Sequence, residues 1–338
     1  MGRMRVRRFG AAAITILIGA LAALAQEPSS AAHIRINVDV VQTPVSVTRR
    51  GVPVKGLTQE DFQIRENGST QVVKYFWQEL DLPLSVGLIV DVSASQAGLI
   101  GQHRETVTKF LRQVLGPRDK AMLMTVGAQA RLISDFTSSV EEFGKGIDRI
   151  KMGNEQSPIL GEPCHGTRRK LPRILGRRRV KETIPCGGTA LWQGVYWAAH
   201  LKMRGIEGRK ALIVLSDGID TGSDYNLEDA IEAAQAAETP VYTIKFFSAI
   251  TAPLLPLVAL KRGMERLGDE TGGVAFGILH GDMGKVFEQI EQDLRNLYVL
   301  GYTPTNTARD GKFRRIEVTT TMKDAQVRTR KGYLAARD

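Results

Sequence analysis

Two aspartates, two serines and a threonine stand out for their chemistry. Asp91, Ser93 and Ser95 fall in the run D-V-S-A-S, Thr189 in G-G-T-A, and Asp217 in L-S-D-G. Each side chain ends in oxygen. An aspartate followed by two serines at alternate positions, directly after an apolar run, makes little sense as packing. It suits a set of ligands for a hard divalent cation. Soft ligands are absent from the three runs, so Mg²⁺, Mn²⁺ or Ca²⁺ is favoured over zinc or copper. No catalytic residue is expected. Ser93 and Ser216 lack a G-x-S-x-G setting. The five histidines (His33, His103, His165, His200 and His280) show no metal or catalytic spacing, and no phosphate-loop pattern surrounds Gly272-Gly273.

These residues need elements to converge. Leu84 to Val90 is a near-continuous apolar run, as expected of a strand buried on both faces. Ala121 to Val126, Ala211 to Leu215 and Val241 to Phe247 read as further strands, with Ala130 to Phe136 at an edge and Val274 to Phe276 short. Between them, helical spacing predicts Leu99 to Leu115, Val140 to Ile150, Thr189 to Met203, a helix capped by Asn226 and running through Ala237, Leu254 to Gly268, and Asp282 to Leu297. Strands alternating with helices predict a doubly wound, mostly parallel α/β sheet. Ligands bind beyond the carboxyl ends of such strands, and Asp91 and Asp217 both follow one directly.

The two ends of the chain differ in period. Ile34, Ile36, Val38 and Val40 alternate with polar residues, Val41 to Val47 is a second apolar run, and Glu66-Asn67-Gly68 reads as a hairpin turn. Thr58 to Phe62 reads as one helical turn. Leu297 to Tyr302, Phe313 to Thr321 and Ala325 to Tyr333 read as strands. The expected division is a leader at 1–25, an N-terminal β-rich module at 26–82, the α/β domain at 83–297, and a C-terminal β segment at 298–338 that pairs with the N-terminal module.

Arg3, Arg5, Arg7 and Arg8 precede an apolar stretch from Phe9 to Leu24 that ends in Ala23-Leu24-Ala25. This has the form of a secretory signal peptide cut before Gln26, with an uncleaved anchor as the alternative. Export follows, to the periplasm, the cell surface or the medium. The formal charge is +10, but it is concentrated. Eight basic residues and no acid lie between His165 and Lys181, inside an insertion at 153–187. Without the four leader arginines and the run His165 to Lys181 the balance is slightly acidic, which argues against a nucleic-acid-binding surface. The basic run either attracts an acidic partner or polyanion or is a solvated loop. Cys164 and Cys186 flank it. They would staple its base as a disulfide in an oxidising compartment, or remain two thiols. A zinc site with His165 lacks a fourth ligand.

The chain resembles the von Willebrand factor type A domain family. The resemblance runs from about Leu84 to Leu297 and is carried by Asp91-Val92-Ser93-Ala94-Ser95, Gly188-Thr189-Ala190 and Ser216-Asp217-Gly218. It implies a Rossmann-like fold and a metal-ion-dependent adhesion site. In such a site Ser93, Ser95 and Thr189 touch the ion, and Asp91 and Asp217 act mostly through water. The flanking runs Leu57-Thr58-Gln59-Glu60-Asp61-Phe62, Tyr298-Val299-Leu300-Gly301-Tyr302 and Arg330-Lys331-Gly332-Tyr333 resemble the related proteins common in acidobacteria. With few direct carboxylates the ion keeps an open position. The expected function is an exported module that captures a protein partner through its exposed Asp or Glu. The alternatives are a metal-dependent enzyme or enzyme subunit, and a surface protein with a purely structural ion.

Overall fold

The computed structural model describes residues 40–78, 82–93, 96, 100–148, 188–246, 257–278 and 283–337. Ser95, Cys164, Cys186, the basic run 165–181 and the leader lie outside them, as do the expected strand residues 33–39.

The chain opens with β1 (Val41–Arg49), which turns into β2 (Val52–Pro53) through Arg50 and Gly51, both at positive φ. A single 3-10 turn at Gln59–Asp61, capped by Thr58, leads into β3 (Phe62–Glu66). Asn67 and Gly68, at φ 49° and 84°, give the mirror-image hairpin turn that matches strand twist, and β4 (Ser69–Gln71) pairs back on β3. Then come β5 (Tyr75–Gln78), β6 (Leu84–Asp91), α1 (Ile100–Val114), β7 (Lys120–Val126), β8 (Ala130–Thr137) and α2 (Val140–Asp148). The second half runs α3 (Leu191–Trp197), β9 (Arg209–Ser216), α4 (Leu227–Ala236), β10 (Val241–Phe246), α5 (Leu257–Thr271), β11 (Ala275–Ile278) and α6 (Met283–Arg295). It finishes with β12 (Tyr298–Tyr302), β13 (Phe313–Thr320), β14 (Gln326–Arg328) and β15 (Gly332–Leu334). Among the described residues, no helix is long and apolar enough to cross a membrane.

The central sheet has the order β11-β10-β9-β6-β7-β8 and is parallel apart from the β7–β8 pair. All eight residues of β6 are buried, which is why its sequence shows no alternation. Leu84, Val86, Leu88 and Val90 face one apolar layer with Phe110 and Leu111 of α1, Phe143 of α2 and Phe287 and Ile290 of α6. Ile89 faces the opposite layer, with Leu191 and Val195 of α3, Ala230 and Ala234 of α4, and Met264 and Leu267 of α5. Close approach is built in at Gly87. A side chain there would run into Leu212, Met122 and Met203.

The two ends of the chain form one β-rich subdomain. β1 pairs antiparallel with β12, from Val41↔Tyr302 to Val45↔Tyr298, and with β14 further along. β3 pairs with β13. Val45, Val47, Ile64, Tyr298, Tyr302 and Ile316 fill the space between these sheets.

Several expectations are corrected. The helix expected from Thr189 begins at Leu191, and its last part, Ala198–Met203, is wound as a π-helix. The helix expected to end at Gly268 runs on to Thr271, and residues 254–256 lie outside the described ones. The strand expected over Ala325 to Tyr333 is two strands in two different sheets. The chain crosses between them at Thr329-Arg330. A side chain at Gly332 would overlap the Arg314 carbonyl and the Phe313 ring, so no other residue lets β15 close on β13.

Candidate metal centre

β6 and β9 lie side by side at the centre of the sheet, in register from Leu84↔Arg209 to Val90↔Leu215. From β6 the chain moves on to β7 on one side, and from β9 to β10 on the other. The carboxyl ends of these two strands are therefore the switch point of a doubly wound sheet, where the crevice for ligands opens. Asp91 is the last residue of β6, and Asp217 directly follows β9.

Hydrogen bonds join the two ends. Ser216 Oγ donates to Asp91 Oδ2 at 2.6 Å, and the Ser93 amide donates to Asp91 Oδ1 at 2.8 Å. Asp217 Oδ1 accepts from the Ile219 amide at 3.0 Å. Its Oδ2 accepts from Gln96 Nε2 at 3.2 Å, which ties the loop after β6 to the loop after β9. Gln96 itself is fixed by its amide, which donates to the Ser93 carbonyl at 3.0 Å.

Thr189 belongs to the same edge through its backbone. Its carbonyl accepts from the Thr221 and Gly222 amides at 3.0 and 3.1 Å, and its amide donates to Thr221 Oγ1 at 2.9 Å. The next residue, Ala190, donates to the Gly127 carbonyl at 2.7 Å, just beyond β7. Asp220 then caps α3 from a different loop: its Oδ1 accepts from the Leu191 and Trp192 amides at 2.8 and 3.2 Å. First-turn amides have no acceptor within their own helix, and the positive end of the helix favours the carboxylate that serves them. Ser223 adds to the joint by accepting from the Gln193 amide at 3.0 Å.

Electrostatically, the edge concentrates negative charge in a dry place. Asp91 has no exposed surface and Asp217 is 5% exposed. Burial pushes the Asp91 carboxyl up to about 6. Hydrogen bonds from Ser216 and Ser93 pull it down, and the neighbouring charge of Asp217 pushes it up again. Lys245, in register with Ser216 on β10, is buried on the same face.

The residues present fit a hard cation. Among the described residues no group of three or more His, Cys, Asp or Glu could hold a metal. A cation here would rest on two carboxylates and on hydroxyl oxygens, a donor set for Mg²⁺, Mn²⁺ or Ca²⁺. Gln96 Oε1 is buried beside Asp217 without a hydrogen-bond partner, an unsatisfied oxygen of the kind an ion or its water would use.

The structure thus brings Asp91, Ser93 and Asp217 to one edge and anchors the Thr189 backbone to the Asp217 loop. Ser95 lies outside the described residues. Gln96, Asp220 and the buried Lys245 are functional candidates that no sequence pattern singles out. Of the histidines, His200 is exposed and stacks on Tyr196 with ring centroids 5.3 Å apart.

No protein-family model matches the chain, and no curated protein matches it. Solved structures do align. The conserved hypothetical protein BatB from Bacteroides thetaiotaomicron aligns with a TM-score of 0.43 and 12% identity, over 63% of this chain and 100% of that one. Proximal thread matrix protein 1 of the mussel byssus, with a zinc-occupied MIDAS motif, gives 0.47 and 13%, over 68% of this chain and 49% of that one. The SpRpn10 VWA domain gives 0.39 and 12%, over 62% and 95%. At these scores they stand as likenesses only; the sheet order and register carry the fold. The chain is an α/β protein with a doubly wound, mostly parallel, Rossmann-like sheet, to which a β-rich subdomain from both termini is added.

Proposed function

We propose that this protein is an exported, non-enzymatic binding module that captures an acidic group of a protein partner through a divalent cation. Asp91, Ser93, Ser95, Thr189 and Asp217 would hold the ion, with Mg²⁺ as the first candidate and Mn²⁺ or Ca²⁺ as alternatives. One observation carries the reading. The Ser216–Asp91 hydrogen bond of 2.6 Å locks the ends of the two central strands together and sets Asp217 beside Asp91 at the switch point. With the two carboxylates acting mostly through water, a divalent ion stays under-neutralised. Hydroxyl and water ligands then leave a position at which an incoming carboxylate forms a charge-assisted contact away from bulk water. Membership of the adhesion-site family, and of the acidobacterial group within it, is part of this proposal. So is export, which is supported by the basic and apolar character of residues 3–25. The basic run 165–181, which precedes Thr189 in sequence, would add long-range attraction for an acidic partner.

The test is a peptide array probed with purified protein. Peptides with a single Asp or Glu should bind in Mg²⁺ and not in EDTA, and their Asn or Gln counterparts should not bind in either. Binding that survives EDTA, or that ignores the Asp-to-Asn change, refutes the proposal.

A further inference from the structure

We propose that Gln96 is a positioning residue of the cation site: its amide nitrogen fixes Asp217, and its amide oxygen accepts a hydrogen bond from water held by the ion. This rests on the reading above that a cation binds between Asp91 and Asp217.

Gln96 has no exposed surface. A glutamine so placed should use both ends of its amide, because an unmatched polar atom in a dry interior is costly. Only one end is used. Nε2 donates to Asp217 Oδ2 at 3.2 Å, while Oε1 is buried without a partner. Turning the amide over does not help. It would set oxygen against the Asp217 carboxylate, two acceptors face to face, and leave the NH₂ group unmatched instead. The carboxylate therefore fixes the orientation. Both amide atoms share one carbon, so the free oxygen lies within a few ångströms of Asp217. Hard cations such as Mg²⁺ keep several of their waters, and each bound water has protons to give. A neutral, buried acceptor next to a ligand carboxylate takes such a proton without adding charge. The backbone supports the same placement, since the Gln96 amide is tied to the Ser93 carbonyl at 3.0 Å. Gln96 thus links the loop that bears Ser93, through its backbone, to the loop that bears Asp217, through its side chain. Partners of this kind, behind the direct ligands, orient them and tune the metal.

Gln96→Met and Gln96→Glu test this in the full chain. Mg²⁺ is titrated calorimetrically into protein freed of metal by EDTA, and melting is followed with and without Mg²⁺. Methionine matches the length and removes both roles. Its Mg²⁺ affinity should fall about 10- to 100-fold, with melting in EDTA unchanged or raised, because the unmatched oxygen is gone. Glutamate keeps an acceptor, loses the donor to Asp217 and adds a third carboxylate. Its melting in EDTA should fall, and its rise on adding Mg²⁺ should exceed that of the wild type. Methionine affinity within twofold of wild type, with a lower melting point in EDTA, would show a packing residue and overturn the inference while leaving the cation site standing. A wild-type protein that takes up no Mg²⁺ would overturn both.

Discussion

Asp293, on α6, joins the α/β body to the terminal β subdomain, and its removal makes a quantitative prediction. The residue is 4% exposed. Its Oδ1 accepts from Ser46 Oγ on β1 and from Arg328 on β14, the latter at 2.7 Å. Its Oδ2 accepts from the Tyr242 hydroxyl on β10 at 2.5 Å, and burial together with this carboxylate keeps Tyr242 protonated well above its ordinary range. Asp293→Ala removes an acceptor from three donors at once. The Tyr242 hydroxyl, which has no route to water, costs about 1–3 kcal/mol when unmatched. Breaking a buried ion pair costs about 3–5 kcal/mol when the remaining charge stays dry. Arg328 is 26% exposed and keeps a bond to Ser46 Oγ at 3.0 Å, so water and serine recover part of that. The expected total is about 3–4 kcal/mol, read as a lower urea midpoint at unchanged slope. Tyr242→Phe should cost less alone. In the double variant the orphaned hydroxyl is gone, so the losses should fall short of additivity by about 1 kcal/mol. A loss below about 1 kcal/mol for Asp293→Ala, or additivity within about 0.3 kcal/mol, would refute this account of the joint.

Three further outcomes are expected. In EDTA at pH 7.5, Asp91→Asn should be more stable than wild type by up to about 3 kcal/mol, because burial raises the carboxyl from 3.8 to about 6 and each unit is worth ~1.4 kcal/mol. The charged form is the penalised one, so the advantage is full above about pH 6, fades as pH falls toward 3.8, and is accompanied by loss of any Mg²⁺-induced rise in melting temperature. Gly194→Ala should lose about 1–3 kcal/mol in denaturant titration, since the added methyl would overlap Val126 where α3 presses on β7. Arg330→Lys should cost about 2–3 kcal/mol in the same assay. One ammonium cannot serve both the Gln235 carbonyl at the end of α4 and the Gln42 carbonyl on β1, which the guanidinium reaches at 2.6 and 2.5 Å.

How much of this is legible in the sequence depends on range. A strand covered on both faces must be apolar throughout, so Leu84 to Val90 announces its place in the sheet, and the residue that ends it, Asp91, announces the edge. Asn67-Gly68 and Asn226 are equally readable, since a hairpin turn and a helix cap depend on neighbours only. The rest is written in long-range contacts. Asp220 lies in a D-G-I-D run that gives no hint it caps a helix starting at Leu191. Gln96 is one more polar residue after a serine until the fold sets Asp217 against it. The break between β14 and β15 is invisible as a pattern, because Ala325 to Tyr333 alternates well enough for one strand. The collision that any side chain at Gly332 would make with β13 shows only why glycine stands where β15 closes on that strand.

The central claim is that two strand ends and the Thr189 loop converge on one cation. Anomalous diffraction from a crystal soaked in Mn²⁺ tests it most directly. The account predicts a single strong peak between Asp91 and Asp217, with Ser93 and Thr189 oxygens at about 2.0–2.6 Å. A map with no peak there, or with the manganese bound at some other edge of the sheet, would contradict it.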